Sequence, residues 1–186
     1  MICFVYGASA SGKSEYAERL AVRFSKKRAC SRGCGLLYIA TMKDESEEAG
    51  LRIRRHRIQR SGRGFSLYEA YTLSELEEAP ESHTILFDCV SNFIANVMFS
   101  EELFKKVCAD ESFIYELADE IWERIERFDE KCVNLVLVAD TFFSDGVSYD
   151  ELTERYIKLT GMIFQRTAKA ADEVWEVVYG IPVRIK

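Results

Sequence analysis

Short apolar runs alternate along the chain with longer stretches of helical spacing. Ile2 to Tyr6 is rich in β-formers and stops at a glycine, which predicts a buried strand. Tyr16, Leu20 and Phe24 then recur every four residues, one face of a helix. The basic cluster Lys26, Lys27 and Arg28 suits the end of that helix, where the backbone dipole favours cations. Cys30 to Gly35 reads as a loop and Leu36 to Ala40 as a second buried strand. Asp44, Glu45, Glu47 and Glu48 precede a basic stretch from Arg52 to Arg63; acids first and bases last predict one helix, with Gly50 inside it. Phe65 to Ala70 predicts a strand, Leu73 to Glu78 a helical turn stopped near Pro80, and Thr84 to Asp88 a strand ending in a carboxylate. Val90 to Phe99 and Asp110 to Glu130 predict helices, Val133 to Ala139 a strand and Tyr149 to Ala171 a long helix. Val174 to Val178 and Val183 to Ile185, around Gly180, predict a terminal hairpin with a turn slightly longer than the tightest kind.

This alternation predicts an α/β fold: a mostly parallel sheet covered by helices on both faces, with the hairpin as an antiparallel edge. No repeat, low-complexity segment or linker divides the chain, so residues 1–186 read as a single domain. At 186 residues, 48% apolar and 30% charged, the chain can bury a core without disulfides. The net charge of −6 argues against a protein that coats nucleic acid. Cys3, Cys89 and Cys132 sit in or beside apolar runs, and neither a second pair nor a nearby histidine joins Cys30 and Cys34 to make a zinc set. The thiols read as reduced. With neither a signal-peptide pattern nor an apolar stretch long enough for a bilayer, the expectation is a cytoplasmic protein with no membrane insertion.

One motif changes the picture. Gly7, Ala8, Ser9, Ala10, Ser11, Gly12, Lys13 and Ser14 form a complete phosphate-loop pattern between a strand and a helix. Glycines let the backbone close on an anion, successive N–H groups cradle its oxygens, and the helix adds its positive end. Lys13 supplies a cation for the β- and γ-phosphates and Ser14 a hydroxyl for Mg²⁺. Chance would place the four fixed positions in roughly one chain in a hundred of this length or fewer, and here the flanking elements also agree. ATP or GTP is the expected ligand. Asp88, at a strand end, reads either as a second Mg²⁺ holder or as an ordinary helix N-cap. Glu69, in the predicted strand from Phe65 to Ala70, joins the nucleotide-binding set.

Two histidines are present. His83, beside the Pro80 turn, reads as a surface loop residue. His56 shares a helix face with Arg52 and Arg60, with Arg57 adjacent and Arg55 and Arg63 close in sequence. Arginines grip phosphate bidentately, and positive neighbours keep imidazole neutral and nucleophilic. His56 could therefore attack the α-phosphorus of a nucleotide and carry it covalently. The competing reading is a solvated basic face.

Taken together, the loop Gly7 to Ser14, the run Leu37-Tyr38-Ile39-Ala40-Thr41, the pattern Arg52-Ile53-x-x-His56-Arg57-x-x-Arg60, Asp88-Cys89 with Asn96 downstream, and the C-terminal Ala171-Asp172-Glu173-Val174-Trp175 and Gly180-Ile181-Pro182-Val183-Arg184-Ile185-Lys186 resemble the bifunctional adenosylcobinamide kinase/adenosylcobinamide-phosphate guanylyltransferases of cobalamin biosynthesis. The resemblance implies a three-layer, RecA-like P-loop fold and a trimer. It implies phosphorylation of the aminopropanol hydroxyl of adenosylcobinamide. Transfer of GMP from GTP by way of His56 then gives adenosylcobinamide-GDP. The chain departs from the family where Asn-Glu-Val-Gly is usual: it has Asp140-Thr141-Phe142-Phe143, losing a carboxylate and a glycine turn, with Asp140 and Asp145 the nearest replacements. Phe164 stands where the family has Asn before Gln165. Two other functions therefore stay in view: a P-loop kinase of another small alcohol, and a catalytically weak nucleotide-binding regulator.

Overall fold

The computed structural model describes residues 1–26, 35–43, 62–141 and 146–186. Seven strands form one sheet: β1 (Ile2–Gly7), β2 (Leu36–Ala40), β3 (Phe65–Glu69), β4 (Ser82–Asp88), β5 (Cys132–Asp140), β6 (Glu173–Val178) and β7 (Ile181–Arg184). Their order across the sheet is β3-β2-β4-β5-β1-β6-β7. Every neighbouring pair is parallel except β6 with β7. The expected α/β architecture with an antiparallel edge hairpin is what the chain adopts.

Side-chain alternation explains why both faces are covered. On β4, Ile85 and Phe87 enter one apolar cluster while Leu86 enters the other; on β5, Leu135 and Leu137 face one way and Val136 and Val138 the other. The helix α1 (Lys13–Lys26) closes one face with Ala17, Leu20, Ala21 and Phe24. The opposite face is closed by α3 (Val90–Met98), α5 (Phe113–Lys131) and α6 (Glu151–Ala170). Fully buried rings such as Phe87 and Phe93 meet edge-on at 5.5 Å, and each contributes about 1.5–3 kcal/mol by leaving water. The short α2 (Leu73–Glu78) carries a capping box. Thr72 Oγ1 accepts from Glu75 N at 3.2 Å, and Glu75 Oε2 accepts from Thr72 N at 2.9 Å.

The structure differs from the sequence expectations in several places. The hairpin turn is the tightest kind, Tyr179-Gly180 between the paired residues Val178 and Ile181, with positive φ at both turn residues (46° and 81°). A further helix, α4 (Glu101–Ala109), follows α3; its N-cap Ser100 interrupts the pattern so briefly that the periodicity does not reveal it. His83 is no surface loop residue: it lies in β4, 5% exposed, with Nδ1 3.2 Å from Thr84 Oγ1. Pro80 ends α2, but the strand resumes at once and carries His83 inward. No described helix is long and apolar enough to cross a membrane.

A candidate phosphate-binding site at the strand ends

In a parallel sheet all strands deliver their C-terminal ends to one edge, and ligands gather there where the strand order reverses. Here β1 lies beside β5 and β6 while its successor β2 lies beyond β4 and β5. Register then decides which side chains meet. Gly7 pairs with Asp140, so the entrance to the phosphate loop and the last residue of β5 are neighbours. Asp88 pairs with Val138 on one side and Ala40 on the other, and Ala40 pairs with Glu69. Asp88, Asp140 and Glu69 thus all end strands on this edge. Glu69 is exposed and two strands from Asp88, roughly 10 Å away by strand spacing.

Residues 8–12 make a compact turn. Ser11 N donates to Ala8 O at 3.1 Å, and Ala10 and Gly12 have φ of 58° and 90°. Lys13 opens α1 and folds back over the loop: its Nζ donates to Ala8 O at 3.2 Å and forms an ion pair with Asp140. Lys13 is only 5% exposed, so its charge is held in a partly desolvated pocket where electrostatic interactions are strong. Ser14 is half-buried in the first turn of the same helix. The hairpin braces the loop from the other side, Gly180 N donating to Ser11 O at 2.7 Å. A Cβ on Gly7 would lie 2.5 Å from Val177 O, and one on Gly12 3.3 Å from Gly180 Cα. The loop glycines therefore serve packing against the hairpin as well as approach to an anion.

Asp88 does not cap the following helix. The N-cap of α3 is Cys89, with no side-chain cap bond, and Asp88 Oδ2 accepts from the Tyr38 hydroxyl at 2.8 Å. Thr41 Oγ1 accepts from Cys89 N and lies 2.8 Å from Cys89 O, while Asn96 Nδ2 donates to Thr41 O at 2.7 Å. Residues singled out separately in the sequence, Thr41, Asp88-Cys89 and Asn96, are thus one hydrogen-bonded unit that fixes the ends of β2 and β4. The Cys89 thiol donates to Asp140 Oδ2 at 3.5 Å. Burial first, then the charges of Asp88 and Asp140, push this thiol well above its ordinary range, so it stays protonated and is no nucleophile. Asp140 N donates to Ser91 Oγ at 2.8 Å, and the buried Tyr156 hydroxyl donates to Ser91 O at 3.1 Å. Burial likewise raises the Tyr156 phenol, which stays protonated as a donor.

Tyr38, Ser91, Tyr156 and Gly180 were not legible as site residues, because their roles depend on strand register and on contacts between residues 49 or more positions apart. His56, Arg52, Arg57 and Arg60 lie outside the described residues, as do Cys30, Cys34, Phe142, Phe143 and Asp145. Arg63, just beyond that segment, pairs with the buried Glu18 of α1 at 2.5 Å. Phe164 takes a packing role, its ring 5.7 Å from that of Phe4. The C-terminal motif is also largely structural. Asp172 Oδ2 accepts from Ile2 N at 2.8 Å, Trp175 meets Tyr16 edge-on at 5.5 Å, and Lys186 Nζ donates to Ala171 O at 2.6 Å.

Comparison with known proteins gives the same picture. The chain is 30% identical to the bifunctional adenosylcobalamin biosynthesis protein CobU of Escherichia coli, across the whole of both chains. It is 27% identical to the bifunctional adenosylcobalamin biosynthesis protein CobP of Pseudomonas aeruginosa, over 98% of this chain and 95% of that one. Among solved structures, the flagellar accessory protein FlaH of Methanocaldococcus jannaschii superposes over the whole of this chain and 77% of its own with a TM-score of 0.52; at 15% identity this is a likeness of fold alone. A family model described as cobinamide kinase / cobinamide phosphate guanyltransferase matches residues 3–185, and the chain belongs to that family.

Proposed function

We propose that residues 1–186 act as one domain, in the cytoplasm and as a homo-oligomer, a trimer on the family resemblance, to convert adenosylcobinamide to adenosylcobinamide-GDP in two steps. In the first, the aminopropanol hydroxyl attacks the γ-phosphorus of ATP or GTP; the new P–O bond replaces the bridge to the β-phosphate, and the nucleoside diphosphate leaves. In the second, His56 attacks the α-phosphorus of GTP and pyrophosphate leaves. The phosphate of adenosylcobinamide phosphate then displaces the imidazole and takes the GMP.

The observation that carries the reading is the phosphate loop seated beside two strand-end carboxylates, in a chain matched by the family model from residue 3 to 185. Such transfers need positioning and charge neutralisation more than covalent machinery. Lys13 and the amides of Gly7 to Ser14 would hold the β- and γ-phosphates. Asp88 is already oriented by Tyr38. Ser14 and Asp88 offer hard oxygen donors of the kind Mg²⁺ takes alongside substrate phosphates. When bound, Mg²⁺ would neutralise charge on the transferred group. Glu69 extends the nucleotide-binding edge. Arg52, Arg57 and Arg60 would grip the triphosphate while His56 attacks. The chain enters the segment that carries them just past Thr41, bonded to Cys89 at the phosphate edge, and leaves it at Arg63, bonded to α1.

GTP labelled at the α-phosphorus tests this directly. The wild-type protein is expected to acquire an acid-labile GMP that is discharged by adenosylcobinamide phosphate, and His56→Ala to acquire none. Undiminished label on His56→Ala would end the histidine mechanism. Phosphorylation of adenosylcobinamide without any labelled protein would leave only the kinase half.

A further inference from the structure

We propose that Asp140 is the resident counter-ion of Lys13 and that it makes nucleotide binding depend on a divalent cation. The inference deepens the reading of the phosphate loop as a nucleoside triphosphate site and rests on it. Lys13 is the cation that must meet the β- and γ-phosphates, yet its ammonium is engaged by Asp140 and by Ala8 O. To reach the phosphates Lys13 must give up that pair. Asp140 would then face an incoming triphosphate as a like charge, on an edge where Asp88 already contributes a second negative charge.

Asp140 has little freedom to withdraw. Its main chain is tied to Ser91 Oγ, Ser91 in turn to Tyr156, and its Oδ2 to the Cys89 thiol. It is also paired in register with the buried Gly7, and Thr141 N donates to Gly7 O at 2.9 Å. A cation arriving with the nucleotide offsets the exposed carboxylate, so metal and nucleotide bind together more tightly than either does alone. The family resemblance puts an uncharged amide at this position, where no such penalty arises. The substitution therefore acts on the charge balance of the site while preserving its shape.

Calorimetric titration with GTP, in EDTA and in excess Mg²⁺, tests this on the full chain. Asp140→Asn is expected to bind metal-free GTP about tenfold more tightly than wild type, the size expected from removing one like charge at a partly buried site. The factor by which Mg²⁺ improves affinity should shrink by a similar amount. Asp140→Glu keeps the charge and should keep that factor. Asp140→Ser is a second neutral variant, should the amide fail to fold by circular dichroism, and is expected to behave as Asn. A folded neutral variant with unchanged metal-free affinity and an unchanged Mg²⁺ factor overturns the role of Asp140 alone. Failure of the wild-type chain to bind GTP under either condition overturns the nucleotide site itself, and this inference with it.

Discussion

Gly7→Ala and Gly161→Ala make the same chemical change, and the structure gives them opposite signs. At Gly7 the added methyl would lie 2.5 Å from Val177 O and 2.7 Å from Ser11 Oγ, both inside the 3.0 Å that real Cβ atoms essentially never breach. Ser11 can rotate its hydroxyl away. Val177 O cannot move, because Val177 belongs to β6, which is paired to β1 on one side and to β7 on the other. The chain must shift at the end of β1, at an overpacking cost of about 2–3 kcal/mol. For a chain of this size that is a fall in melting temperature of roughly 4–12 °C. The shift falls where the phosphate loop begins, so GTP affinity should drop as well. Gly161 lies within α6 with nothing inside 4 Å of its would-be Cβ. Alanine there should add about 0.5–1 kcal/mol through helix propensity and raise the melting temperature by about 1–4 °C, leaving GTP binding unchanged. Melting followed by circular dichroism, with calorimetric GTP titration on each variant, reads both. A Gly7→Ala protein that melts with wild type and binds GTP equally well would refute the reasoning about the loop and its bracing hairpin.

Two further outcomes are expected. Thr72→Ala removes the acceptor for Glu75 N and half of the capping box of α2, and should cost about 1 kcal/mol in denaturant unfolding, with no change in GTP affinity. Burial, aided by Glu173, pushes the Cys3 thiol from its ordinary 9.0 up to about 12. The native state therefore keeps a proton that the unfolded chain releases, so Cys3 supports stability fully below pH 9 and loses that contribution as pH rises towards 12. Cys3→Ala should flatten the alkaline fall in stability measured by urea titration between pH 8 and pH 11; an unchanged slope would show that other groups govern it.

What was legible in the sequence was whatever depends on neighbours along the chain. The phosphate loop needs eight consecutive residues, and the strands and most helices follow from local period. What was not legible depends on register. Asp140 looked like one residue of an altered segment; only its pairing with Gly7 brings it to Lys13. Asp88 looked able to hold a metal and also to cap α3, and the Tyr38 hydroxyl, fifty positions away, turned it from the helix. His83 misled because the strand begins at Ser82, two residues before the Thr84 start that a loop reading assumes. The contrast has a physical basis. A local motif is recognisable because its energetics close within one turn of chain. A charge balance among Lys13, Asp88 and Asp140 is shared by one helix and two strands, and no single stretch of sequence records it. Departures from a family pattern at such shared positions, here a carboxylate where an amide is usual, therefore alter how the site is charged before they alter how it is shaped.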